Sequence, residues 1–241
     1  MLNETFSFRG KRANSMGIEL QDSIIITATS PKFNQHIVPG RNGTIYDPDG
    51  AYEDRSIIAS CYLLSHVLER DIDAINAWLI SSPGYHRFED SQDPYHFMMA
   101  YAKSGIEKHA RGGILAPFSL EFSAKPQRFL KLGEKPISIT SNSAIIKNPT
   151  KYAALPLIEF NGSGYFEIEI GGNTLKFLGV NNETVIYDAE LDTAYSGSQS
   201  MDQKVGSTGQ IVLSPGSTEV KFTLINGNVY SLKITPRWWE I

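Results

Sequence analysis

Residues 35–46 read Gln-His-Ile-Val-Pro-Gly-Arg-Asn-Gly-Thr-Ile-Tyr, a stretch with two turn signals between apolar residues. Pro-Gly at 39–40 and Asn-Gly at 42–43 both favour tight turns, because glycine adopts positive φ without steric cost. Asp-Gly at 49–50 adds a third turn signal a few residues later. The pattern predicts a β-hairpin over residues 37–52 that projects from the rest of its domain.

Around this hairpin, most of the first half alternates between apolar and polar residues, which is the period of half-buried strands. Residues 57–64 are almost all apolar and predict a buried strand that contains Cys61. One segment differs, because Ile72, Ile75, Trp78 and Leu79 recur at spacings of three and four. That spacing predicts one amphipathic helix of about three turns, which ends at Ser-Ser-Pro-Gly 81–84.

The second half contains strand patterns and no convincing helix. Eight short strands are predicted, at residues 137–139, 157–160, 165–170, 174–177, 183–187, 211–213, 219–224 and 229–234. Turns rich in glycine and asparagine separate several of them, and residues 194–209 are predicted to be a polar surface loop. With residues 132–136 as the linker, we predict two mainly β domains, 1–133 and 134–241, the second a β-sandwich or jelly roll.

Composition restricts the class of protein. With 241 residues, 41% hydrophobic residues and a net charge of −4, the chain is typical of a folded globular protein. No cluster of Lys and Arg predicts strong binding to nucleic-acid backbone. No apolar run approaches the ~20 residues of a membrane-spanning helix, and the first residues lack a signal-peptide pattern. The single cysteine excludes internal disulfides and fits synthesis in a reducing cytosol.

Residues that could carry chemistry are few. Cys61 lies in an apolar strand, where a thiolate is disfavoured, so we expect a structural cysteine. His86, Asp90, Asp93 and His96 are the best metal candidates, but their spacing matches no metal signature and a polar hairpin turn explains them better. We therefore predict no catalytic residue, no metal and no cofactor.

Carbohydrate chemistry has two candidate features in the second half. Glu167 and Glu169 share one face of a strand, as a glycosidase pair would, but alternation places them on the solvent face. Trp238 and Trp239 are candidates for stacking on sugar rings, although aromatic residues of β-sandwiches more often pack in the core. The sparse chemistry favours a binding or structural protein.

A series of motifs occurs in an order that resembles one protein family. In the first half the motifs are Phe6-x-Phe8-x-Gly10, Ser15-Met-Gly-Ile18, Val38-Pro-Gly-Arg-Asn-Gly43, Asp49-Gly-Ala-Tyr52, Ile75-x-x-Trp78-Leu79, Phe88-x-Asp90 with Tyr95, and Phe118-x-Leu-x-Phe122. In the second half they are Asn148-Pro-Thr150, Leu155-Pro156, Gly162-x-Gly164, Ile186-Tyr-Asp188, Leu213-Ser-Pro-Gly216 and Pro236-Arg-Trp238. Over nearly the whole chain they resemble the distal tail protein (Dit) of long-tailed, non-contractile bacteriophages. Asn42 stands where that family often has an acidic residue, and Asn-Gly serves the same turn.

The resemblance implies a fold. The N-terminal domain would be a β-sandwich or split-barrel-like domain with one α-helix and a projecting hairpin. The C-terminal domain would be a galectin-like, carbohydrate-module-like β-sandwich.

The resemblance also implies a function. The protein would be a virion component, made in the host cytoplasm, whose first domains form a hexameric ring at the tail tip. The ring would join the tail-tube protein to the tail-associated baseplate hub protein and let DNA pass without specific binding. In some phages of the family the outer domains hold receptor-binding proteins. Neither a reaction nor membrane insertion is implied.

Strand edges give a physical reason to expect a ring. An exposed β-edge is a template for another chain, and a closed ring of identical copies buries every such edge. We therefore predict that the hairpin reaches the adjacent subunit, with Arg41 either bonded across the interface or left in solvent. The predicted interface residues are Ile37, Val38, Pro39, Gly40, Arg41, Asn42, Gly43, Thr44, Ile45 and Tyr46. The helix with Ile72, Ile75, Trp78 and Leu79 is predicted to cover one face of the first-domain sheet.

Two alternatives stay open at this point. The chain could be a carbohydrate-binding module or lectin that contacts host cell-wall glycans through its second domain. It could also be a cell-wall hydrolase of the tail tip, although no residue cluster supports that chemistry.

Overall fold

The computed structural model describes residues 4–63, 68–107, 110–111, 114–115 and 117–241, and its chain divides into two compact units. The division falls between Arg128 and Phe129, earlier than the predicted boundary at 133 and 134. The reason is that a strand ending at Leu130 continues past the division, and Leu130 packs against the core of unit 2. The first three residues of the predicted linker, 132–136, lie in a 3₁₀ helix, Lys131–Glu134, and the whole linker falls in unit 2.

Unit 1 is mainly β, as predicted. Its elements are β1 Phe6–Phe8, β2 Lys11–Arg12, a 3₁₀ helix Ala13–Met16, β3 Ile18–Leu20, β4 Ile25–Ile26, β5 Pro31–His36, β6 Ile45–Tyr52, β7 Arg55–Leu63, α1 Leu68–Ile80, β8 His86–Asp90, β9 His96–Ala102, β10 Ala110–Arg111, β11 Ile114–Leu115 and β12 Phe118–Leu130. The predicted strand 57–64 is β7, which starts two residues earlier; the predicted last residue, Leu64, lies outside the described residues.

One sheet forms the body of unit 1, in the order β2-β1-β8-β9-β12-β7-β3, with β4 also paired to β7. Alternate residues of β7 face inward, and all five of them are buried: Arg55, Ile57, Ala59, Cys61 and Leu63. The predicted helix is α1, and the four residues expected to face the sheet are all buried in the same core.

β5 and β6 form a two-stranded sheet of their own, which pairs with no other strand in the described part of the chain. We call this hairpin, residues 31–52, the arm. A hairpin is present, as predicted, but the predicted bounds of 37–52 are wrong, since its first strand is Pro31–His36. The sequence Pro-Lys-Phe-Asn-Gln-His gives no alternating signal, because neither face of the arm is buried.

Unit 2 is also mainly β. Its strands are β13 Ile137–Ser138, β14 Ser143–Asn148, β15 Leu157–Ile170, β16 Asn173–Asp188, β17 Thr193–Ser196, β18 Gln199–Ser200, β19 Val205–Ser207, β20 Gly216–Thr235 and β21 Trp239–Glu240. The central sheet runs β13-β20-β15-β16-β17-β18, with β14 on β20 and β19 on β16. The prediction of a surface loop at residues 194–209 is wrong. This segment contains strands and a 3₁₀ helix, Asp202–Lys204, and its Met201 is buried.

Three long strands replace three pairs of predicted short ones. β15 unites 157–160 with 165–170, β16 unites 174–177 with 183–187, and β20 unites 219–224 with 229–234. Glycines mark where these strands approach closely: a Cβ on Gly164 would lie 2.1 Å from Asn226 O, and a Cβ on Gly227 would lie 2.1 Å from Ser163 O. Bulges flank these contacts, so the strands bend without breaking.

The bend brings both halves of each long strand onto one core. The rings of Phe160 and Phe166, on either side of the bend in β15, stack with centroids 3.5 Å apart, and Phe177 of β16 packs on both. Residues 211–213, predicted as a strand, instead contribute one bridge between Ala154 and Leu213. Among the described residues, no helix is both long and apolar enough to cross a lipid bilayer.

Candidate functional site

The arm is a regular antiparallel hairpin with one bulge. Residues 33–36 pair in register with residues 45–48, and Pro31 pairs with Tyr52. The predicted turn at Asp49-Gly50 is wrong: these residues form a bulge in β6, where Gly50 has φ 81° and Asp49 Oδ1 accepts the Ala51 N–H at 2.8 Å. Most of the predicted interface, residues 37–44, is the loop that joins β5 to β6, and Ile45 and Tyr46 begin β6.

The tip of the arm exposes apolar side chains. Ile37 is 83% exposed, Tyr46 52%, and Phe33 and Val38 41% each. The rings of Phe33 and Tyr46 contact each other across the strands, with centroids 4.3 Å apart. An exposed apolar cluster beside open strand edges is typical of a surface that another chain covers.

The loop of the arm also presents Arg41. Its backbone N–H donates to Val38 O at 3.1 Å, which closes a turn, and Gly40 has φ 80°. The Arg41 side chain is exposed and makes no hydrogen bond or ion pair with the described part of the chain. The guanidinium group is thus free to bind another molecule.

The root of the arm is held by hydrogen bonds at two neighbouring residues. Asp54 Oδ2 accepts hydrogen bonds from Tyr85 Oη at 3.0 Å and from Ser123 Oγ at 3.2 Å. Arg55 Nε donates to Pro126 O at 2.9 Å. These bonds tie the start of β7, where the arm ends, to Tyr85 and to β12.

α1 contributes one ring to a group of five aromatic rings in mutual contact, which we call the aromatic cluster: Phe6, Phe8, Trp78, Phe88 and Phe122. Trp78 is 5% exposed, and its Nε1–H donates to Phe8 O at 2.9 Å. Arg9 Nη1 donates to Trp78 O at 2.6 Å. Trp78 therefore lies in the core, as the sequence predicts.

The predicted metal candidates do not form a metal site. Asp93 Oδ1 lies 2.8 Å from His96 Nδ1, and Arg128 Nη2 donates to Asp93 Oδ2 at 2.9 Å. His86 instead contacts Ser82 O at 3.2 Å. Within the described ranges, no group of three His, Cys, Asp or Glu side chains converges to hold a metal ion.

The pKa values of Asp90 and Asp93 are shifted in opposite directions. Burial raises the pKa of Asp90 above its ordinary value, and the hydrogen bond from the Gln92 N–H only partly offsets it. Burial also raises the pKa of Asp93, but the hydrogen bond from His96 and the charge of Arg128 outweigh it and leave that pKa lowered. The two pKa values differ because Asp93 has positive neighbours, and a positive neighbour favours the charged form of a carboxyl.

Arg55 is a buried charged residue that the sequence analysis did not identify as a candidate for binding. Only 7% of the residue is exposed, and no carboxylate of the described residues lies within ion-pair distance of it. Burial, with the nearby charge of Arg128, lowers the pKa of Arg55. The alternating pattern of β7 could have identified it. Arg55 occupies the first inward-facing position of the strand, and apolar residues occupy the next four.

Cys61 is structural, as predicted. It is buried, and its Sγ lies 3.4 Å from Ala59 O. Burial raises the pKa of Cys61 to about 12, so the thiolate needed for nucleophilic chemistry is scarce at neutral pH.

The residues of unit 2 considered for carbohydrate chemistry make contacts with other residues of the protein. Trp238, a candidate for stacking on sugar rings, is 3% exposed and packs in the core, the alternative that the sequence favours. Trp239 stacks on Tyr152 and donates from Nε1 to Ala153 O at 2.9 Å. Glu167 and Glu169 form ion pairs with lysines, at 2.9 Å and 3.7 Å, on the solvent side of the strand, as predicted.

Comparison with known proteins identifies the fold. No family model matches the chain, and no curated protein matches it. Among solved structures, it is similar to the Dit protein (gp 19.1) of phage SPP1, described as a paradigm of the hub adsorption apparatus in phages that infect Gram-positive bacteria. The two share 16% sequence identity with a TM-score of 0.74, and the similarity covers 99% of each chain. The chain thus has the Dit fold, as the motifs predict.

Proposed function

We propose that this protein is the ring-forming adaptor of a phage tail tip. In this proposal six copies form a ring that joins the tail-tube protein to the tail-associated baseplate hub protein and leaves a channel for DNA. The observation that carries the proposal is the Dit fold itself, which covers 99% of this chain and 99% of a hub adsorption protein. The protein performs no reaction in this role and resides in the virion after synthesis in the host cytoplasm.

The arm supports the ring. Its apolar tip and both its strand edges have no partner in the described part of the same chain, so a neighbouring copy can use them. A contact between two different surfaces, repeated around an axis, closes into a ring that leaves no free edge. Arg41 is placed to hydrogen bond across that contact.

The charge of the chain supports passage of DNA without tight binding. The net charge is −4, and no run of Lys or Arg occurs along the sequence. Affinity for the nucleic-acid backbone depends on clustered positive charge, and a channel that held DNA firmly would slow its passage.

Unit 2 is the proposed attachment point for a receptor-binding protein. It exposes large apolar side chains at Ile145, Leu191, Ile225 and Tyr230. Exposed apolar side chains of this size are available for burial against a second protein.

Mass photometry of the purified chain, alone and with its baseplate partner, tests the ring. We expect a particle of about 160 kDa, six times the 26.7 kDa chain. Replacing Ile37 and Val38 together by Asp places charge at the arm tip and is expected to leave monomers of unchanged melting temperature.

The matched control is Ile145→Asp, which puts the same charge on an exposed apolar site of unit 2 and should leave the ring intact. A monomer under every condition, with and without the partner, would contradict the proposal.

Glycan binding by unit 2 is a second candidate function, and one feature favours it. A groove of about 660 Å³ is lined by the polar residues Ser138, Thr140, Asn142 and Asn228, by apolar residues that include Phe222 and Leu224, and by the exposed Tyr230. Uncharged hydrogen-bonding groups beside an aromatic ring suit a neutral sugar. A glycan array probed with the full chain should give signal that Tyr230→Ala removes, and an array without signal would exclude this function.

A further inference from the structure

A cavity of about 240 Å³ lies within unit 1, beside the root of the arm. Two guanidinium groups, Arg55 and Arg128, line it together with the carboxylates of Asp90 and Asp93 and the apolar side chains of Ile26, Phe88 and Met98. Because Asp93 is paired with Arg128, the guanidinium group of Arg55 and the apolar walls remain to suit an anion that carries a short hydrocarbon stem.

The charge of Arg55 has no counter-ion within the described residues. Its hydrogen bonds run to two carbonyl oxygens, Pro126 O at 2.9 Å and Thr27 O at 3.5 Å. The other arginine is different, because Asp93 Oδ2 lies 2.9 Å from Arg128 Nη2. A buried charge without a partner is costly, and a bound anion would remove that cost.

Asp90 lines the same cavity but does not serve as the counter-ion. Its Oδ1 accepts the Gln92 N–H at 2.9 Å, and it forms no ion pair with Arg55. Burial raises the pKa of Asp90, with the charge of Asp93 acting in the same direction. The pKa of Asp90 is thus raised, the opposite of the direction expected for a carboxyl that is paired with a positive group.

We propose that the cavity binds a carboxylate with a short aliphatic stem. The carboxylate lies against Arg55 and Arg128, and the stem packs on Ile26, Phe88 and Met98. Guanidinium groups suit this ligand because their N–H groups match the geometry of a carboxylate. The carboxylate comes either from a free short-chain acid or from the side chain of an acidic residue in a polypeptide. The site is independent of the proposed ring.

Titration of the full chain with formate, acetate, propionate and butyrate tests the proposal. The imidazole of His96 lines the cavity and reports binding through its NMR chemical shifts, at fixed pH and with sodium chloride replaced to keep ionic strength constant. We expect saturable shifts, with affinity rising about fourfold for each added methylene that is buried. A linear response to all four acids, equal to that of chloride, would overturn the proposal.

A glutamate blocked at both backbone ends separates the two sources of the carboxylate. Saturation by this compound as well as by butyrate identifies an acidic side chain as a ligand. Saturation by butyrate alone identifies a free acid. Both results support the carboxylate site.

Three variants assign the binding to this cavity. Arg55→Met removes the unpaired charge and should abolish saturation, whereas Asp90→Asn removes a negative charge from the wall and should tighten binding at least twofold. Lys103→Met, an exposed cation elsewhere in unit 1, should leave the affinity unchanged. Binding that survives Arg55→Met, or that Asp90→Asn weakens, would contradict the assignment.

Arg55 also contacts the carbonyls at the root of the arm, so a second substitution covers loss of folding in Arg55→Met. Arg55→Lys keeps the charge but loses the forked geometry, and should weaken binding several-fold. An affinity of Arg55→Lys equal to that of the unchanged protein would contradict a direct contact.

Discussion

The aromatic cluster and the arm belong to the same unit and use similar side chains in opposite ways. In the cluster, Phe6, Phe8 and Phe88 are fully buried, and Trp78 is nearly so. In the arm, Phe33 and Tyr46 contact each other but remain largely exposed. The cluster derives its order from burial, which contributes about 1.5–3 kcal/mol for a large apolar side chain. The arm cannot derive its order in that way.

A two-stranded hairpin is marginally stable by itself in water. Within the described part of the chain, the arm therefore depends on its root, where Asp54 and Arg55 form hydrogen bonds. The cluster stabilises the fold of unit 1, whereas in the proposed ring the arm contacts a neighbouring copy. Substitutions in the two regions should consequently separate stability from association.

Removing the indole of Trp78 is expected to have the largest effect on stability. Trp78→Ala opens a cavity under α1 and leaves Phe8 O without its donor, and should lower the free energy of unfolding by ~3–5 kcal/mol. Urea denaturation followed by circular dichroism measures the change. Tyr95→Ala, at a residue 75% exposed in the same unit, is the control and should cost below about 0.5 kcal/mol. Equal losses in both variants would remove the distinction between buried and exposed aromatic residues.

The cluster was predictable from the sequence because burial leaves a periodic record. Spacings of three and four identified α1 and its inward face, and alternation identified β7. β5 left no such record, because both faces of the arm meet solvent.

Glycines explain the errors in unit 2. Gly171-Gly172 marks a true turn between β15 and β16, with positive φ at both residues. Asn226-Gly227-Asn228 looks the same in the sequence but lies inside β20, where Gly227 allows the backbone of β15 to approach. Local sequence cannot distinguish these two uses of glycine, since the second depends on a strand more than sixty residues away.

Loosening the root should have the next largest effect. Asp54→Ala deprives Tyr85 Oη and Ser123 Oγ of their acceptor and should cost about 1–2 kcal/mol. Amide hydrogen exchange should show faster exchange in the arm, while the aromatic cluster keeps its protection. Asp54→Asn keeps an acceptor oxygen, so its exchange rates in the arm should lie between those of the unchanged protein and those of Asp54→Ala. Uniformly faster exchange across unit 1 would contradict a role confined to the root.

Asp90 and Asp93 should have opposite effects on the free energy of unfolding as the pH falls. The lowered pKa of Asp93 adds stability above its unfolded pKa, and this is lost as pH falls through the folded pKa, below about 4. The raised pKa of Asp90 acts oppositely, since its ionised form destabilises and protonation relieves the penalty. Each contribution should stay below about 1 kcal/mol, because solvent screens both groups.

Urea denaturation between pH 7 and pH 3 measures these contributions. Asp93→Asn should flatten the loss of stability in acid, and Asp90→Asn should raise stability at pH 7. Identical pH profiles for the two variants would show that their surroundings do not set the two pKa values.

The smallest effect on stability is expected at the tip of the arm. Ile37→Ser alters a side chain that is 83% exposed and should change the free energy of unfolding by less than about 0.5 kcal/mol. The same substitution at Ile75, fully buried under α1, should cost several kcal/mol, because it leaves a cavity and buries a hydroxyl. In the proposed ring the order reverses for association, since Ile37→Ser should reduce the oligomer seen by mass photometry at an unchanged melting temperature. A variant that keeps both its melting temperature and its oligomeric mass would leave the arm tip without a role in assembly.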